Sequence, residues 1–239
     1  MNLPHAIPSA LRGSSFEAAL AGLGELYEEL EENQSEALAS IAARGPELAC
    51  PEGCGSCCEG FVPDLLPVEA RYLAAWLLAE RPELAGAAGA WPPSGPEPRG
   101  SKPPCPFHEA GRRGGKCGVY PARPLICRLF AFSALRGRDG LPGFALCKRM
   151  PSRGGRRSWS GPELAAELGE LLPDMAHYGA LVAALVPEEA GRRALLVEAL
   201  PAELRRLSLV ISLSAYEEPD REDPDEPEPS TPAPAPAAA

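Results

Sequence analysis

The sequence predicts a mainly α-helical protein whose helices pack around a loop-rich, cysteine-ligated metal core, with at most a small β-hairpin. Two observations lead to this prediction. Apolar residues recur at helical spacing on both sides of residues 50–147, and all eight cysteines of the 239-residue chain fall within that region. The 29 prolines and 24 glycines interrupt the chain often, which predicts short elements and long loops.

The first predicted helix begins after a cap at Ser14 or Ser15 and ends at Arg44-Gly45-Pro46. Its apolar positions recur at helical spacing up to residue 30, weaken past Asn33 and resume at residue 37. They are Phe16, Leu20, Leu23, Tyr27, Leu30, Ala37, Leu38 and Ile41. Ser14 and Glu17 have the spacing of a capping box at its start. Seven glutamates on this helix predict an acidic face, either solvated or available to a protein partner.

A second helix is predicted to begin at Pro67 and to end at Arg81-Pro82, with a short Ala/Gly-rich continuation over 83–90. Six prolines make residues 91–104 a linker or a long loop. Apolar and polar residues alternate weakly over 130–135, a turn is predicted at 136–140, and the chain returns as a second strand over 144–147. This pattern predicts a small hairpin. A basic loop follows over 149–157.

Helix-start signals recur at Gly161-Pro162 and at Asp174. Helical patterns then cover about 174–186, 188–199 and 201–213, each interrupted by a proline. Residues 217–239 hold eight acidic residues and seven prolines, which predicts disorder. The predicted organisation is therefore a lead-in and amphipathic helix over 1–45, a cysteine-cluster metal-binding domain over 46–150, C-terminal helices packed on it over 151–216, and a disordered acidic Pro/Ala tail over 217–239.

The distribution of charge, the N-terminal sequence and the lack of a long apolar stretch limit the functional classes to which the protein is expected to belong. Residues 99–157 carry 14 Lys/Arg against two acidic residues, whereas the whole chain has a net charge of −10. A protein with that net charge repels nucleic acid at long range, so nucleic-acid binding is disfavoured. The N-terminus lacks a secretory signal and no stretch is apolar enough to span a membrane, which predicts a cytoplasmic protein without a membrane partner. Thiols stay reduced there, which favours metal ligation over disulfides.

The cysteines form a dense local group followed by four dispersed members: Cys50, Cys54, Cys57, Cys58, Cys105, Cys117, Cys127 and Cys147. The spacing of the first three lets their sulfurs converge on one centre. Consecutive side chains of an extended segment point to opposite sides, so Cys58 is expected to serve a second centre. The set suits two four-ligand sites, or one cluster with auxiliary cysteines.

Thiolates select zinc, copper(I) or iron–sulfur clusters over hard ions. Structural zinc sites typically repeat Cys-x-x-Cys twice, and that pattern is missing here. Proline beside a ligating cysteine is common in iron–sulfur proteins, and it occurs here at Cys50-Pro51 and Cys105-Pro106. We therefore expect an iron–sulfur cluster or iron as the first choice, with zinc as the alternative.

The motifs Cys50-x-x-x-Cys54-x-x-Cys57-Cys58, Cys105-Pro-Phe and Cys117-Gly-Val-Tyr120-x-x-Arg123-Pro124-x-x-Cys127-Arg128 occur in this order. This pattern, over about residues 46–150, resembles the YkgJ-like cysteine-cluster family, whose domain is described as zinc- or iron-chelating. The resemblance implies metal binding and leaves the reaction open. Members are often labelled iron–sulfur oxidoreductases, and one branch includes flagellin lysine methylases.

Tyr120, Arg123 and Arg128 belong to the matched motif and are candidate cofactor-binding residues. Four thiolates on one divalent metal leave a net charge of −2, which nearby guanidinium groups would offset. The alternative is that Tyr120 packs in the core and that the arginines are surface or ion-pair residues. His108, three residues after Cys105, is a weaker candidate ligand.

The sequence thus predicts a metal-binding cysteine-cluster protein with a redox or transferase role. The alternative is a zinc-stabilised structural module that binds a protein partner, through its acidic helix or tail, without catalysis.

Overall fold

The computed structural model describes residues 8–44, 48–49, 55–91, 103–109, 115–168 and 172–215. Cys50, Cys54, most of the predicted linker and the predicted disordered tail lie outside these residues. Among the residues described there are seven α-helices and antiparallel strands of two to four residues. The predicted mainly α-helical class with small β elements is therefore confirmed.

Helix α1 (Glu17–Ala42) is continuous through the region where the apolar pattern weakens. Gln34 fills a buried position of its inner face, and its Nε2 donates to the carbonyl of Arg128 at 2.9 Å. A polar residue in the buried stripe thus accounts for the weakened pattern. The predicted capping box is displaced, because the Glu17 carboxylate accepts from Gly13 N at 2.6 Å rather than from Ser14.

The main core lies between α1, α2 (Pro67–Glu80) and α7 (Leu196–Ser214). Ten consecutive residues of α2, from Val68 to Leu77, are buried, since helices cover it on several sides. Helix α3 (Pro82–Gly89) also packs on α7. Strand β1 (Asp64–Leu65) pairs antiparallel with β7 (Ala194–Leu195), which joins the segment after the cysteine motif to the start of α7.

The C-terminal region departs from the sequence prediction at two places. Residues 188–199 do not form one helix, because a 3₁₀ turn (Pro187–Glu189) and strand β7 precede α7. Pro201 lies buried inside α7 and does not end it. An interior proline costs about 3 kcal/mol. Burial of Leu200, Leu204 and Leu207 on the same helix outweighs that cost.

A second, smaller core lies under a three-stranded sheet in the order β4 (Leu135–Arg136), β5 (Pro142–Ala145) and β6 (Ser158–Ser160). The β4–β5 pairing confirms the predicted hairpin. Its first strand starts later than predicted, because Ala131 has a positive φ of 67° and turns the chain. The third strand follows the predicted basic loop. Helix α5 (Pro162–Glu167) and the end of α1 cover this sheet.

Short elements complete the fold around the cysteines. Strands β2 (His108–Glu109) and β3 (Lys116–Cys117) pair antiparallel, and helix α4 (Leu125–Leu129) follows a 3₁₀ turn at Tyr120–Ala122. Helix α6 (Met175–Leu185) begins as predicted at Asp174, whose carboxylate accepts from Ala176 N at 2.8 Å. Within the described ranges, every helix is too short or too polar to cross a bilayer.

A buried charge cluster fastens α2 to the C-terminal region. The guanidinium of Arg71 on α2 pairs with Glu189 at 3.0 Å and with Glu203 of α7 at 3.1 Å. Arg71 also lies over the ring of Phe16, 4.8 Å from its centroid. A buried carboxylate is tolerated only when it is paired, so this cluster fixes how α7 sits on α2.

We predict that Arg71→Ala lowers the free energy of unfolding by about 3–5 kcal/mol, because it leaves Glu203 buried without its main cation. Chemical denaturation monitored by circular dichroism measures the loss. Arg206→Ala is the matched control, since Arg206 is half exposed and contacts the same carboxylate at 3.4 Å. It should cost less than about 1 kcal/mol. Equal losses in the two variants would contradict a dominant role for the buried pair.

Candidate metal centre

The paired cysteines Cys57 and Cys58 lie in a tight turn. Cys58 N donates to the carbonyl of Gly55 at 2.8 Å, and the two Sγ atoms are 3.9 Å apart. The expectation that these side chains point to opposite sides is wrong, because it holds for an extended segment and this one is a turn. Two sulfurs on one tetrahedral zinc, with bonds of about 2.3 Å, lie about 3.8 Å apart. Both side chains can therefore face one centre.

Backbone pairing brings two distant cysteines to this turn. Cys105 N donates to the carbonyl of Cys58 at 2.8 Å. Strand pairing then places Cys117 opposite His108, which is three residues after Cys105. The Sγ of Cys58 is within hydrogen-bonding distance of the Sγ of Cys57, and Cys117 is close enough to shift the pKa of Cys58. Three sulfur atoms from two distant parts of the sequence thus form one connected group, which we call the sulfur trio: Cys57, Cys58 and Cys117.

The three sulfurs of the trio shift one another's pKa values. The interaction with Cys58 lowers the pKa of Cys57 to about 6 and that of Cys117 to about 7. The pKa of Cys58 is raised, chiefly by its interactions with Cys117 and Cys57. Two of the three thiols therefore ionise more readily than an ordinary cysteine, and thiolates are the form that binds metals.

Cys105 is buried and Cys127 is half-buried, and both are close enough to the sulfur trio for its charges to raise their pKa values. Burial raises the pKa of Cys105 to about 11. Burial also raises the pKa of Cys127, and the negative charges of Cys117, Cys105 and Cys57 raise it further. Cys127 is carried by α4, where its N–H donates to the carbonyl of Pro124 at 2.9 Å. Five of the predicted ligands therefore act on one another electrostatically.

Cys147 is placed differently from these five. It packs against the second core beside β5, and its carbonyl accepts from Arg157 Nη2 at 2.6 Å. Arg149, two residues later, donates from Nε to Ser56 Oγ at 3.0 Å. The segment that follows Cys147 thus touches the residue before Cys57.

Arg123 is the predicted cofactor-binding residue whose charge acts on the cysteines. Its positive charge lowers the pKa of both Cys57 and Cys117. Its guanidinium lies over the ring of Tyr120, 4.0 Å from the centroid. Its Nε is buried and, among the described residues, has no hydrogen-bond acceptor. Tyr120 is 54% exposed, so it does not pack in the core as the alternative expected.

Arg128 points away from solvent into the protein. Its fully buried guanidinium pairs with Glu31 of α1 and lies 4.0 Å from the ring centroid of Tyr27. It also donates to the carbonyls of Arg123 at 2.9 Å and of Pro121 at 2.5 Å. These contacts fix the backbone of the loop that carries Arg123.

Glu69 is a site-supporting residue that sequence reasoning missed. Its buried carboxylate accepts from Leu66 N and from Leu125 N, each at 2.9 Å, and from the hydroxyl of Tyr27 at 3.3 Å. Burial raises its pKa. Its place three residues after the helix N-cap signals the bond to Leu66. Nothing in the sequence signals the bond to Leu125, which holds the start of α4 and hence Cys127.

The described part of the chain does not contain three Cys, His, Asp or Glu side chains already arranged to hold a metal ion. Two cysteines of the local motif, Cys50 and Cys54, lie outside it. The described residues nevertheless fit a thiolate-bound metal in two respects. Their donors are soft sulfurs with lowered pKa values at Cys57 and Cys117, and a buried Arg123 Nε–H lies beside them without an acceptor.

Residues 49–149 match the model of a protein family described as a "putative zinc- or iron-chelating domain". The matched residues, which we refer to below as the chelating domain after that description, include all eight cysteines, and this confirms the resemblance drawn from their motifs. Its description supports binding of zinc or iron. No curated protein and no solved structure matches the chain significantly.

We predict that Glu69→Ala lowers the free energy of unfolding by about 3 kcal/mol, because two buried amide donors lose a charged acceptor. Hydrogen exchange should also accelerate at Leu125 more than elsewhere in the core. Glu80→Ala, at the exposed end of the same helix, is the control and should change stability by less than about 0.5 kcal/mol. Unchanged exchange at Leu125 would show that Glu69 does not hold α4.

Proposed function

We propose that the chelating domain binds iron, most simply as an iron–sulfur cluster, through thiolates gathered around the sulfur trio. The observation that carries this proposal is the connected group of Cys57, Cys58 and Cys117 beside the unpartnered Nε–H of Arg123. Soft thiolates exclude hard ions such as magnesium and calcium.

The number of neighbouring thiols favours a cluster over a single ion. A structural zinc ion takes four ligands. Five described cysteines already interact here, and Cys50, Cys54 and Cys147 remain as further candidate ligands. A polynuclear centre, or two centres, would use more of these thiols than one tetrahedral ion can.

Arg123 is proposed to donate a hydrogen bond to a sulfur of the bound centre. Its Nε–H has no acceptor among the described residues, and an unsatisfied buried donor costs about 1–3 kcal/mol. Hydrogen bonds to sulfur are among the means by which proteins set the reduction potential of an iron–sulfur centre. Tyr120 would act through Arg123, by stacking on it, and Arg128 by fixing the loop that carries it.

A bound iron–sulfur centre would supply one-electron transfer, which is the redox role that we propose for the protein. Within the trio Cys57 is exposed and Cys58 partly exposed, so a partner can approach these sulfurs. Such a centre needs reduced thiols, in keeping with the cytoplasmic location that the sequence predicts. The transferase role that the sequence also allows would use the same thiols, and it would require a substrate bound beside them.

The second candidate is a zinc-stabilised module that binds a partner without catalysis. Two observations favour it. The 3.9 Å separation of the Cys57 and Cys58 sulfurs suits one tetrahedral ion. The outer face of α1 also presents a row of exposed carboxylates that a basic partner could contact: Glu25, Glu29, Glu32 and Glu36.

Metal and acid-labile sulfide analysis, with a visible spectrum, on protein purified without oxygen should find iron and sulfide in a coloured protein. Cys117→Ser should lose most of the metal, because it removes a member of the trio. Ser56→Ala, next to Cys57 but without a thiol, is the control and should retain it. Colourless protein with stoichiometric zinc would support the second candidate, and full metal content in Cys117→Ser would refute a centre at this place.

Arg123→Gln is expected to keep the metal and to lower the reduction potential of an iron centre. Loss of a nearby positive charge makes addition of an electron less favourable, by about 59 mV for each tenfold change in the equilibrium constant. Redox titration followed by visible absorption measures the shift. Arg138→Gln, on the turn between β4 and β5, removes the same charge elsewhere and should leave the potential unchanged.

A further inference from the structure

A tight turn after β5 presents two positive side chains at the surface. Met150 N donates to the carbonyl of Cys147 at 2.9 Å, which closes residues 147–150 into a turn. Lys148 and Arg149 occupy its two central positions, and both are exposed. Met150 is only 2% exposed and belongs to the second core, so it anchors the end of the turn. We call residues 147–150 the cationic turn.

A third cation fixes the cationic turn in place. The guanidinium of Arg157 donates from Nη2 to the carbonyl of Cys147 at 2.6 Å and from Nη1 to the carbonyl of Met150 at 2.9 Å. The same residue accepts at its carbonyl from Leu146 N at 2.8 Å. Arg157 therefore bridges the two ends of the turn and ties the turn to the chain that precedes it.

The cationic turn lies beside the exposed thiol of the sulfur trio, which is Cys57. Arg149 Nε donates to Ser56 Oγ at 3.0 Å, and Ser56 directly precedes Cys57. Consecutive Cα atoms are about 3.8 Å apart, so the guanidinium of Arg149 and the backbone of Cys57 are close neighbours. Unneutralised charges act over about 8 Å at physiological ionic strength. A molecule that approaches Cys57 from solvent therefore meets the positive charge of the turn.

The protein does not neutralise these charges. Within the part of the chain that the structure describes, no carboxylate forms a salt bridge with Lys148, Arg149 or Arg157. Arg156, by contrast, pairs with two carboxylates of α5. The described carboxylate nearest to the exposed thiol in sequence is Glu59, which the three cations outnumber. The surface beside the thiol is thus positive, although the whole chain has a net charge of −10.

Carboxylate groups complement this surface. A guanidinium group forms bidentate hydrogen bonds with a carboxylate, and an ammonium group offers it a point charge. Encounters between electron-transfer proteins bury little surface, and complementary charges speed them. A short turn with two projecting cations is large enough for such a contact. Nucleic acid carries anionic groups as well, but the net charge of −10 repels a long row of phosphates, which favours a protein as the partner.

We propose that the cationic turn is the docking surface for an acidic protein that exchanges electrons with the centre beside Cys57. Carboxylates of that protein contact Lys148 and Arg149, which brings it to the exposed side of the sulfur trio. One electron then passes between the partner and the metal centre, so that one is oxidised as the other is reduced. The electron transfer rests on the proposed function, whereas the docking of an acidic surface requires only the turn.

Binding of a dye-labelled hexaglutamate peptide to the full chain, measured by fluorescence anisotropy, tests the docking. The peptide represents the acidic surface of a partner and should bind saturably. Its affinity should fall at least about threefold as the ionic strength rises from about 10 mM to about 100 mM, because the Debye length shortens from about 30 Å to about 10 Å.

A charge reversal locates the peptide on the cationic turn. At an ionic strength of about 100 mM, Lys148→Glu should weaken peptide binding at least about fivefold, because repulsion replaces attraction. This variant keeps the bond from Arg149 to Ser56. Arg138→Glu is the matched control, since it changes the net charge equally at the other end of β5, a four-residue strand about 13 Å long. It should bind the peptide like the wild-type chain.

The link to the centre is measured on reduced, iron-containing protein mixed with hexacyanoferrate(III), an anion that accepts one electron from the centre. The rate should fall as salt is raised, because the cationic turn attracts this oxidant. A field set by the net charge of −10 would give the opposite salt dependence. Lys148→Glu should slow the reaction at least about fivefold, and Arg138→Glu should leave it unchanged.

Three results would overturn the proposal. The wild-type chain fails to bind hexaglutamate, Lys148→Glu and Arg138→Glu bind it equally, or a labelled six-nucleotide oligothymidylate binds more tightly than the peptide and assigns the turn to nucleic acid. Metal content is measured on every sample. Binding at the turn by protein without iron would refute the proposed function and leave the docking. Protein that contains iron but does not bind the peptide would refute the docking alone.

Discussion

The burial of Arg128 is the constraint on which the candidate centre depends. A buried guanidinium is tolerated only with close partners, since desolvation costs several kcal/mol. Its partners are Glu31 and the ring of Tyr27 on α1, together with the carbonyls of Pro121 and Arg123. The loop before α4 is therefore tied to the longest helix of the fold. The contacts of Arg128 therefore also fix the positions of Arg123 and Cys127.

A buried negative charge completes the same support from the other side. Glu69 of α2 binds the amide of Leu125. The side chain of Tyr27 bridges the two charged residues, because its hydroxyl donates to Glu69 and its ring lies under Arg128. Helix α4 has five residues, far fewer than an isolated helix needs to be stable. Two opposite buried charges thus replace the stability that length would give: Glu69 binds the first amide of this short helix, and Arg128 binds carbonyls of the loop before it.

Elements that local sequence patterns determine could be predicted from the sequence. Elements that depend on contacts between distant residues could not. Periodicity predicted α1 and α2, and the cysteine motifs predicted the match of residues 49–149 to a zinc- or iron-chelating domain. The continuity of α7 through Pro201 depends on burial against α2, which local rules omit. The meeting of Cys58 with Cys117 depends on the backbone bond from Cys105 to Cys58, between residues 47 positions apart. No local pattern encodes such a bond.

The distribution of charge separates the support of the centre from its surface. On the inner side, Glu69 and Arg128 are buried and hydrogen-bonded, so a substitution there alters the cysteine positions. On the outer side, Lys148 and Arg149 are exposed and contact little of the core. Their charges act through solvent and are screened by salt within about 8 Å at physiological ionic strength. Substitution of these surface charges is therefore expected to leave the positions of the cysteines unchanged, whereas substitution of the buried charges is not.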